Sequence, residues 1–327
     1  MGPLPSLTPP RPELATEIAA AHPGARLTPL VGDASTRRFF RLHLPGGETR
    51  IVMDYGAPFA QPPDDLPLSA LLRGAGLPAP AVLDVRGAVG YLLLEDLGDT
   101  TLESALGTAD DARRERLYAA AVDLARALAD KGSPALAASD RASGPALDAA
   151  RFRFEMDFFL EHFAAGLRAV EPPHGLRERL HALANAAAAS SAPVLCHRDY
   201  HSRNLMVRAD GSLAMVDFQD TRWGPDTYDL ASLLRDAYVE IDEALVERML
   251  GRFGGGPGLR ARFDLVAAER MIKALGTFGY QAATRGNPRY LQGVPRTLAR
   301  LRRTLAADPR LADLGGLLDR VGLLDPS

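Results

Sequence analysis

The sequence predicts an α+β protein in which a small N-terminal mixed β-sheet lobe precedes a larger, mainly helical C-terminal lobe. The first hundred residues alternate short strand-like runs with turns. Beyond Gly98, apolar residues recur every three or four positions, which is typical of amphipathic helices. A chain of 327 residues is long enough for two domains. We therefore expect one lobe over residues 1–96 and the other over 97–327, with a hinge at about 94–99.

The N-terminal lobe is predicted to contain five strands and two helices. Pro12 suits the first turn of a helix over residues 13–22, because that turn leaves its N–H groups unpaired in any case. A Pro-Gly-Gly turn at 45–47 makes two strands a hairpin, and a Pro-rich stretch leads into a short helix over 68–75. The strands are expected at residues 25–31, 37–43, 49–54, 81–85 and 91–95.

The C-terminal lobe is predicted to be helical except for one hairpin. Two β-like runs, 204–207 and 213–216, flank a turn at 209–211. The helices are expected at residues 111–130, 149–165, 176–189, 228–238, 243–253, 260–284 and 290–307.

Composition restricts the possible partners and compartment. Apolar residues make up 46% of the chain and the net charge is -3, so neither nucleic acid nor an anionic membrane is an expected partner. Cys196 is the single cysteine, which excludes an internal disulfide framework. The N-terminus lacks the pattern of a secretory signal, so we expect a cytoplasmic protein. No protein partner is implied.

A set of polar residues around the predicted hairpin indicates phosphoryl transfer. His197, Asp199 and Asn204 follow the H-x-D-x-x-x-x-N spacing of kinases, and Asp217-Phe218 supplies the second motif. In such enzymes the first Asp accepts or orients the proton of the attacking hydroxyl, while the Asn and the second Asp hold Mg²⁺. Hard oxygen ligands suit Mg²⁺, and a separate carboxylate faces the acceptor.

Two other interpretations of these residues remain open at this point. The aspartates could cap turns while His197 is a hydrogen-bonded core histidine. Alternatively, Cys196, His197 and His201 could be zinc ligands, although ligands at adjacent positions diverge and no Cys pair exists elsewhere.

Two segments of the N-terminal lobe are candidates for nucleotide contact. Small residues at a strand-turn-strand junction allow backbone N–H groups to approach phosphates, and two arginines follow them; the residues are Gly32, Ala34, Ser35, Arg37 and Arg38. An ordinary polar hairpin is the alternative. The second segment is the connector at Leu94, Glu95 and Asp96, whose main chain could bond adenine. A buried strand that ends in an acidic turn is its alternative.

These motifs resemble those of the aminoglycoside phosphotransferase and choline kinase-like family. The segments around Gly32, Leu94, Asp217 and Trp223, and the Arg270-x-x-Lys273 pattern, are similar to the bacterial anomeric kinases of N-acetylmuramate and N-acetylglucosamine. The resemblance implies a two-lobed protein-kinase-like fold and an ATP- and Mg²⁺-dependent sugar kinase of peptidoglycan recycling. It also implies an N-terminal nucleotide-binding lobe and an acceptor pocket in the helical lobe.

The resemblance assigns a role to each motif residue. Asp199 would be the catalytic base, and Asn204 and Asp217 would be the Mg²⁺ ligands. His197 and Asp229 would support the catalytic loop, although an Asp at the start of a helix is also a common feature of exposed helices.

One feature departs from the family pattern. Many kinases place a phosphate-binding Lys on the strand that here reads Ile51-Val52-Met53-Asp54, and no Lys precedes Lys131. A guanidinium also binds phosphate, so an arginine could replace the lysine. The candidates are Arg37, Arg38, Arg41 and Arg50. Asp64 and Asp65 lie near the inserted helix and are candidates for the carboxylate that pairs with the cation, while capping of that helix is their alternative role.

Charge in the C-terminal helices bears on the acceptor. From Gly258 onward there are twelve Arg plus Lys against six Asp plus Glu, which disfavours a polycationic acceptor. Arg270 and Lys273 are candidate contacts for the carboxylate of N-acetylmuramate, while a solvated basic face is the alternative. Two other functions stay open: an aminoglycoside or other metabolite phosphotransferase, and a catalytically silent nucleotide-binding scaffold.

Overall fold

A computed structural model describes residues 8–30, 37–61, 63–254 and 256–325. Its contacts divide the chain into two compact units. The first comprises Met1–Asp99 with Met206–Gln219, and the second comprises Thr100–Leu205 with Asp220–Ser327. The hairpin segment around Asp217 therefore groups with the N-terminal part of the chain, whereas the sequence analysis placed it in the C-terminal lobe.

The first unit is built on a five-stranded antiparallel sheet in the order β1-β2-β3-β5-β4. Phe40 of β2 pairs with Val52 of β3, which pairs with Leu93 of β5. The elements are α1 (Pro12–Ala21), β1 (Arg26–Pro29), β2 (Arg38–His43), β3 (Thr49–Asp54), α2 (Asp65–Gly74), β4 (Val82–Arg86) and β5 (Tyr91–Glu95).

Alternation along the strands produces an apolar cluster on each face of this sheet. Phe40, Val52 and Leu93 pack with Leu14 and Ile18 of α1. Because successive side chains of a strand point to opposite faces, Met53, Leu92 and Leu94 form the second cluster.

The rest of the chain is mainly helical, with short strands around the motif segments. Strands β6 and β9 pair with each other, as do β7 and β8. The elements are α3 (Leu102–Thr108), α4 (Asp111–Ala127), α5 (Ser133–Ala137), α6 (Ala149–Phe159), α7 (Leu176–Ala188), β6 (Val194–Cys196), β7 (Leu205–Val207), β8 (Leu213–Met215), β9 (Arg222–Gly224), α8 (Tyr228–Leu234), α9 (Glu243–Phe253), α10 (Leu259–Gly279), α11 (Val294–Ala307) and α12 (Ala312–Arg320).

Helix α10 is the central element of the second unit. It is 21 residues long, is buried over most of its length, and packs against α6, α7, α8 and α11. Gly276 permits the close approach of α6, and Gly279 that of the π-helical turn that follows α6: a Cβ on Gly276 would lie 2.9 Å from the Phe159 Cα. Small residues at a helix crossing bring the two backbones together.

The predicted fold class is confirmed, and the differences concern element ends and short elements. The predicted helix over 149–165 becomes π-helical over Leu160–Leu167, and the one over 260–284 does so over Tyr280–Thr284. The helix predicted over 228–238 ends at Leu234. Apolar periodicity averages over several turns, so it does not register a single wider turn. Helices α3, α5 and α12 and strands β6 and β9 were not predicted, because they span only three to nine residues.

Among the described residues, we find no helix that combines the length and the apolar character needed to cross a membrane.

The approach of α6 to α10 yields a prediction about stability. In Gly279→Ala, the new Cβ would overlap the His162 carbonyl oxygen and lie 2.7 Å from the carbonyl carbon. Relieving this backbone overlap should cost about 1–3 kcal/mol of unfolding free energy, measured by urea denaturation. Gly251→Ala is the matched control, since open space surrounds Gly251 in α9 and alanine should stabilise that helix by about 0.5–1 kcal/mol. Equal effects of the two variants would contradict the close-approach explanation.

Candidate active site

The loop between β6 and β7 is fixed by a buried carboxylate. Asp229, on the first turn of α8, accepts the backbone N–H of His197 at 2.6 Å and that of Arg198 at 3.0 Å. Arg198 adopts a left-handed backbone conformation with φ of 79°. Burial raises the pKa of Asp229, although His197 and the two N–H donors act in the opposite direction. The structure thus places Asp229 against the turn that presents Asp199.

Further hydrogen bonds fix the remainder of this loop. The Tyr200 hydroxyl donates to the Ala121 carbonyl at 2.8 Å, and the Ser202 N–H donates to Asp236 at 2.8 Å. The Asn204 side-chain amide donates to the carbonyl oxygen of Asp199 at 2.9 Å. Because its nitrogen is directed to that carbonyl, the amide oxygen of Asn204 points the other way, as a metal ligand would require.

Two cations of α10 lie beside Asp199. The Lys273 Nζ is 3.5 Å and the Arg270 Nη2 is 3.8 Å from Asp199 Oδ1. Arg270 is held in turn, because its Nε donates to the Ser232 hydroxyl and its guanidinium lies 5.3 Å from the centroid of the Tyr228 ring. The two residues assigned to the acceptor from sequence are therefore ion-pair partners of the predicted catalytic carboxylate.

These cations determine the charge state of Asp199. Burial alone would raise the pKa of Asp199, but Lys273, Arg270 and Arg198 together hold it well below its usual range. The Asp199 side chain is still 29% exposed. The result is an ionised carboxylate that remains accessible from solvent.

Asp217 lies in the other compact unit, just after β8. Its backbone is also left-handed, with φ of 61°. Its Oδ1 accepts the Gln219 side-chain amide at 2.8 Å and the Arg37 guanidinium at 2.9 Å. Close to half of its side chain is exposed, which leaves a hard oxygen donor at the surface of this unit.

Arg37 connects Asp217 with helix α2. Its Nη1 donates to Asp65 Oδ1 at 2.7 Å, and the Tyr55 hydroxyl donates to Asp65 Oδ2 at 2.6 Å. The same Nη1 lies 3.8 Å from the sulfur of Met53, on the strand where the lysine was expected. Of the four candidate arginines, Arg37 is thus the one that pairs with a candidate helix carboxylate.

The other three candidate arginines have different partners. Each pairs with a carboxylate on β3, at the hinge or in the hairpin before β3: Arg38 with Asp54 at 2.7 Å, Arg41 with Asp96 at 2.6 Å and Arg50 with Glu48 at 3.1 Å. Asp54 is fully buried and also binds Arg11, so Arg38 belongs to a network that ties α1 to the sheet.

The segment predicted to be the hinge uses its side chains within the first unit. Leu94 is buried in the sheet, and Glu95 Oε2 accepts the Ala81 N–H at 3.0 Å. Burial acts to raise the pKa of Asp96. The hydrogen bonds that Asp96 accepts from Arg41 and the Gly98 N–H outweigh this effect, so the pKa lies below its ordinary value. A nucleotide contact from this segment would therefore use its main chain. The other predicted nucleotide-binding residues, Gly32, Ala34 and Ser35, lie outside the described residues.

The ranges of the chain that the structure describes bear on where a metal ion could bind. They contain no group of three or more His, Cys, Asp or Glu placed to hold a metal ion. The Cys196 thiol is buried and lies 3.4 Å from the carbonyl oxygen of Pro225. Asn204 and Asp217 supply amide and carboxylate oxygens, the donor types that fit Mg²⁺.

Sequence reasoning missed two supporting residues, Ser232 and Asp236. Ser232 contacts Arg270, and Asp236 accepts the Ser202 N–H of the loop between β6 and β7. A signal was available, since Asp229, Ser232 and Asp236 recur at three- and four-residue spacing in a stretch whose other residues, apart from Arg235, are apolar.

Comparison with known proteins gives close sequence relatives. N-acetylmuramate/N-acetylglucosamine kinase from Pseudomonas aeruginosa is 34% identical, over 90% of this chain and 88% of the relative. Enzymes of the same name from Pseudomonas putida and Caulobacter vibrioides are 32% and 31% identical, over 90% and 89% of this chain and 88% and 90% of those proteins.

Solved structures agree at the level of the fold. Plasmodium vivax ethanolamine kinase superposes with a TM-score of 0.62 at 12% identity, over 91% of this chain and 85% of that chain. A choline/ethanolamine kinase family protein from Mesorhizobium loti gives 0.61 at 16% identity, over 94% and 99% of the two chains. The two-lobed fold expected from the resemblance is therefore confirmed. The model of the phosphotransferase enzyme family matches residues 26–265, and the chain belongs to that family.

Proposed function

We propose that this phosphotransferase uses ATP and Mg²⁺ to phosphorylate the anomeric hydroxyl of N-acetylmuramate or N-acetylglucosamine, in peptidoglycan recycling. The observation that carries the proposal is the likeness, over about nine-tenths of the chain, to several relatives that share this kinase name. The reaction would take place in the cytoplasm, where ATP is available.

Asp199 is the proposed catalytic residue. Its ionised carboxylate would accept a hydrogen bond from the sugar hydroxyl, orient that hydroxyl for in-line attack and receive its proton as the P–O bond forms. The backbone bonds of Asp229 and the side chain of His197 would keep the loop in place. Because Lys273 and Arg270 stabilise the ionised form, Asp199 acts mainly by orientation and takes the proton late.

Asn204 and Asp217 are the proposed Mg²⁺ ligands, supported by their motif spacing and by their oxygen donors. When bound, Mg²⁺ would neutralise negative charge on the nucleotide phosphates. The nucleotide would be bound by backbone groups at Gly32, Ala34 and Ser35, by the main chain of 94–96, and by the guanidinium groups of Arg37 and Arg38.

Lys273 and Arg270 remain the proposed acceptor contacts. Their cationic groups adjoin Asp199, and therefore the point where the acceptor hydroxyl must be held. A carboxylate on the acceptor would find two positive charges there, whereas a polycationic antibiotic would be repelled.

The proposal predicts a specific product. Mg²⁺-dependent ADP release should occur with N-acetylmuramate or N-acetylglucosamine but not with choline or aminoglycosides, and phosphorus NMR should show an anomeric phosphate.

Asp199→Asn should lower kcat by about a thousandfold and leave ATP affinity within about threefold, because only acceptor activation is lost. Asp157→Asn, a carboxylate on the same unit that pairs with Arg177, is the matched control. Phosphate on an aminoglycoside, or full activity of Asp199→Asn, would contradict the proposal.

We assign the phosphate-binding role of the absent lysine to Arg37. Its guanidinium adjoins Asp217, the proposed metal ligand, and the carboxylate of Asp65 fixes its direction. Tyr55 in turn fixes Asp65. A cation held in this way can exchange its bond to Asp217 for bonds to nucleotide phosphates without a change of rotamer at Asp65.

Arg37→Gln tests this assignment by titration calorimetry. Affinity for ATP should fall by about 10- to 100-fold, the effect of losing one charge-assisted hydrogen bond, while affinity for adenosine stays unchanged. Arg50→Gln is the control, since Arg50, on β3 of the same sheet, pairs with the exposed Glu48 of the preceding hairpin turn. Unchanged ATP affinity in Arg37→Gln would refute the assignment, and an equal loss for adenosine would show that the substitution acts on the fold.

A further inference from the structure

Four aromatic side chains form a continuous strip between helices α6 and α10. Phe154, Phe158 and His162 follow one another at four-residue intervals, so they lie on one face of α6 and of the π-helical segment after it. Between ring centroids, Phe158 lies 6.2 Å from Phe154 and 4.1 Å from His162. Tyr280, which directly follows α10, lies 5.5 Å from Phe158 and 5.0 Å from His162. We call these four side chains the aromatic strip.

The aromatic strip is accessible from solvent. Phe154 is 55% exposed, more than any other large apolar side chain among the described residues. The guanidinium carbon of Arg151 lies 5.2 Å from the centroid of the Phe154 ring, a contact that fixes the orientation of the ring. Phe158, His162 and Tyr280 are partly exposed, and the Tyr280 hydroxyl has no hydrogen-bond partner in the part of the chain that the structure describes. Contiguous exposed apolar surface of this kind is typical of a binding site.

Helices α6 and α10 run in the same direction past each other. A Cβ on Gly276 would lie 2.9 Å from the Phe159 Cα, and a Cβ on Gly279 would lie 2.9 Å from the Phe163 Cα. Each step forward along α10 is thus matched by a step forward along α6 and the segment after it. Residues that precede the first contact by similar numbers of positions therefore stand at similar heights along the two helices.

This alignment brings the aromatic strip to the level of the proposed acceptor contacts. Phe154 precedes the first helix contact by five residues and Lys273 precedes it by three, so at 1.5 Å per residue the two stand within about 3 Å of the same height. Lys273 and Tyr280 are seven positions apart, which places them two turns apart on the same face. The Lys273 Nζ in turn lies 3.5 Å from Asp199 Oδ1.

Two π-helical segments also meet at the strip. His162 lies in Leu160–Leu167, Tyr280 begins Tyr280–Thr284, and the two segments contact each other. π-helical turns are rare and frequently mark functional sites. The described ranges contain three such segments, and two of them carry residues of the aromatic strip.

We propose that the aromatic strip binds the pyranose ring of the acceptor. Phe154 and Phe158 contact the apolar C–H face of the sugar, and the Tyr280 hydroxyl forms a hydrogen bond with one of its polar substituents. Asp199 holds the reacting hydroxyl, whereas the strip holds the body of the sugar. The three aromatic residues thus determine acceptor affinity and take no part in phosphoryl transfer. That the acceptor is a sugar rests on the proposed function.

The chemistry of a pyranose fits this surface. The C–H groups on one side of the sugar ring are apolar, and an aromatic face offers them a large, rigid contact area. The hydroxyl and acetamide groups require polar partners at a few points, and the Tyr280 hydroxyl can both donate and accept. Quaternary ammonium groups also bind aromatic faces, but the cations Arg151 and Lys273 beside the strip would repel them.

Steady-state kinetics with N-acetylglucosamine test the contact. Phe154→Ala should raise the KM for the sugar by about 5- to 10-fold and leave kcat and the KM for ATP within about twofold, because only an aromatic contact is lost. Phe154→Tyr keeps the ring and should restore the KM for the sugar. Leu83→Ala is the matched control, since it truncates a side chain of β4 that is 47% exposed. An unchanged KM in Phe154→Ala, or an increase that Phe154→Tyr does not reverse, would overturn the proposal.

Saturation-transfer NMR tests binding without catalysis. With N-acetylglucosamine and no nucleotide, irradiation of the aromatic protons of the protein should transfer saturation to the C–H protons of the sugar ring. This transfer should be lost in Phe154→Ala and retained in Leu83→Ala. Transfer that persists in Phe154→Ala would refute the contact. Transfer to choline methyl groups but not to the sugar would assign the strip to a quaternary ammonium ligand and would also refute it.

The two measurements separate this inference from the proposed function. If no sugar is phosphorylated, the proposed function fails, and the NMR experiment still decides whether the strip binds a pyranose. If sugars are phosphorylated while Phe154→Ala changes neither the KM for the sugar nor the saturation transfer, the proposed function stands and the inference is refuted.

Discussion

The ion pairs between Asp199 and the cations of α10 are the interaction on which the second unit depends. Removing a charge from a buried site of this kind leaves its partner uncompensated, so carboxylate and cations constrain one another. They also constrain the helices that carry them. Arg270 reaches Asp199 because Ser232 and the Tyr228 ring direct it, and α10 lies close to α6 because glycine occupies positions 276 and 279. The loop between β6 and β7 and the helical core are therefore joined by ion pairs.

The sequence predicted the regular elements better than the contacts between them. Alternation located the strands of the sheet, and three- and four-residue spacing located the long helices, because both patterns record which face is buried. Three short helices and two short strands were not predicted, because each contains too few residues to show a periodic pattern of apolar side chains. The π-helical ends of the helices around residues 160 and 280 were not predicted, because one extra residue in a turn leaves the average spacing of apolar residues almost unchanged.

The same distinction holds for the candidate site: the sequence predicted several of its residues but not the contacts between them. Asp199, Asn204 and Asp217 were identified from local motif spacing, whereas Asp229 was identified from the family resemblance. Their partners could not be found in that way. The contact of Lys273 with Asp199 joins residues more than seventy positions apart, and the choice of Arg37 depends on how one side chain crosses from the start of β2 to α2. A count of basic residues drew attention to the C-terminal helices, but tertiary packing decided which of these residues meet the catalytic loop.

The backbone conformations of Arg198 and Asp217 have a consequence for how this protein can evolve. Among the described residues, three that are not glycine have positive φ, and two of them lie in the motif segments. A left-handed conformation costs a residue with a Cβ on the order of 1 kcal/mol, a cost that glycine avoids. Selection for heat resistance alone would favour glycine at both positions, but glycine at position 217 would remove the carboxylate that pairs with Arg37. The backbone conformation and the ion pair thus make opposite demands at Asp217, and a thermophilic descendant that keeps this carboxylate must gain its stability elsewhere.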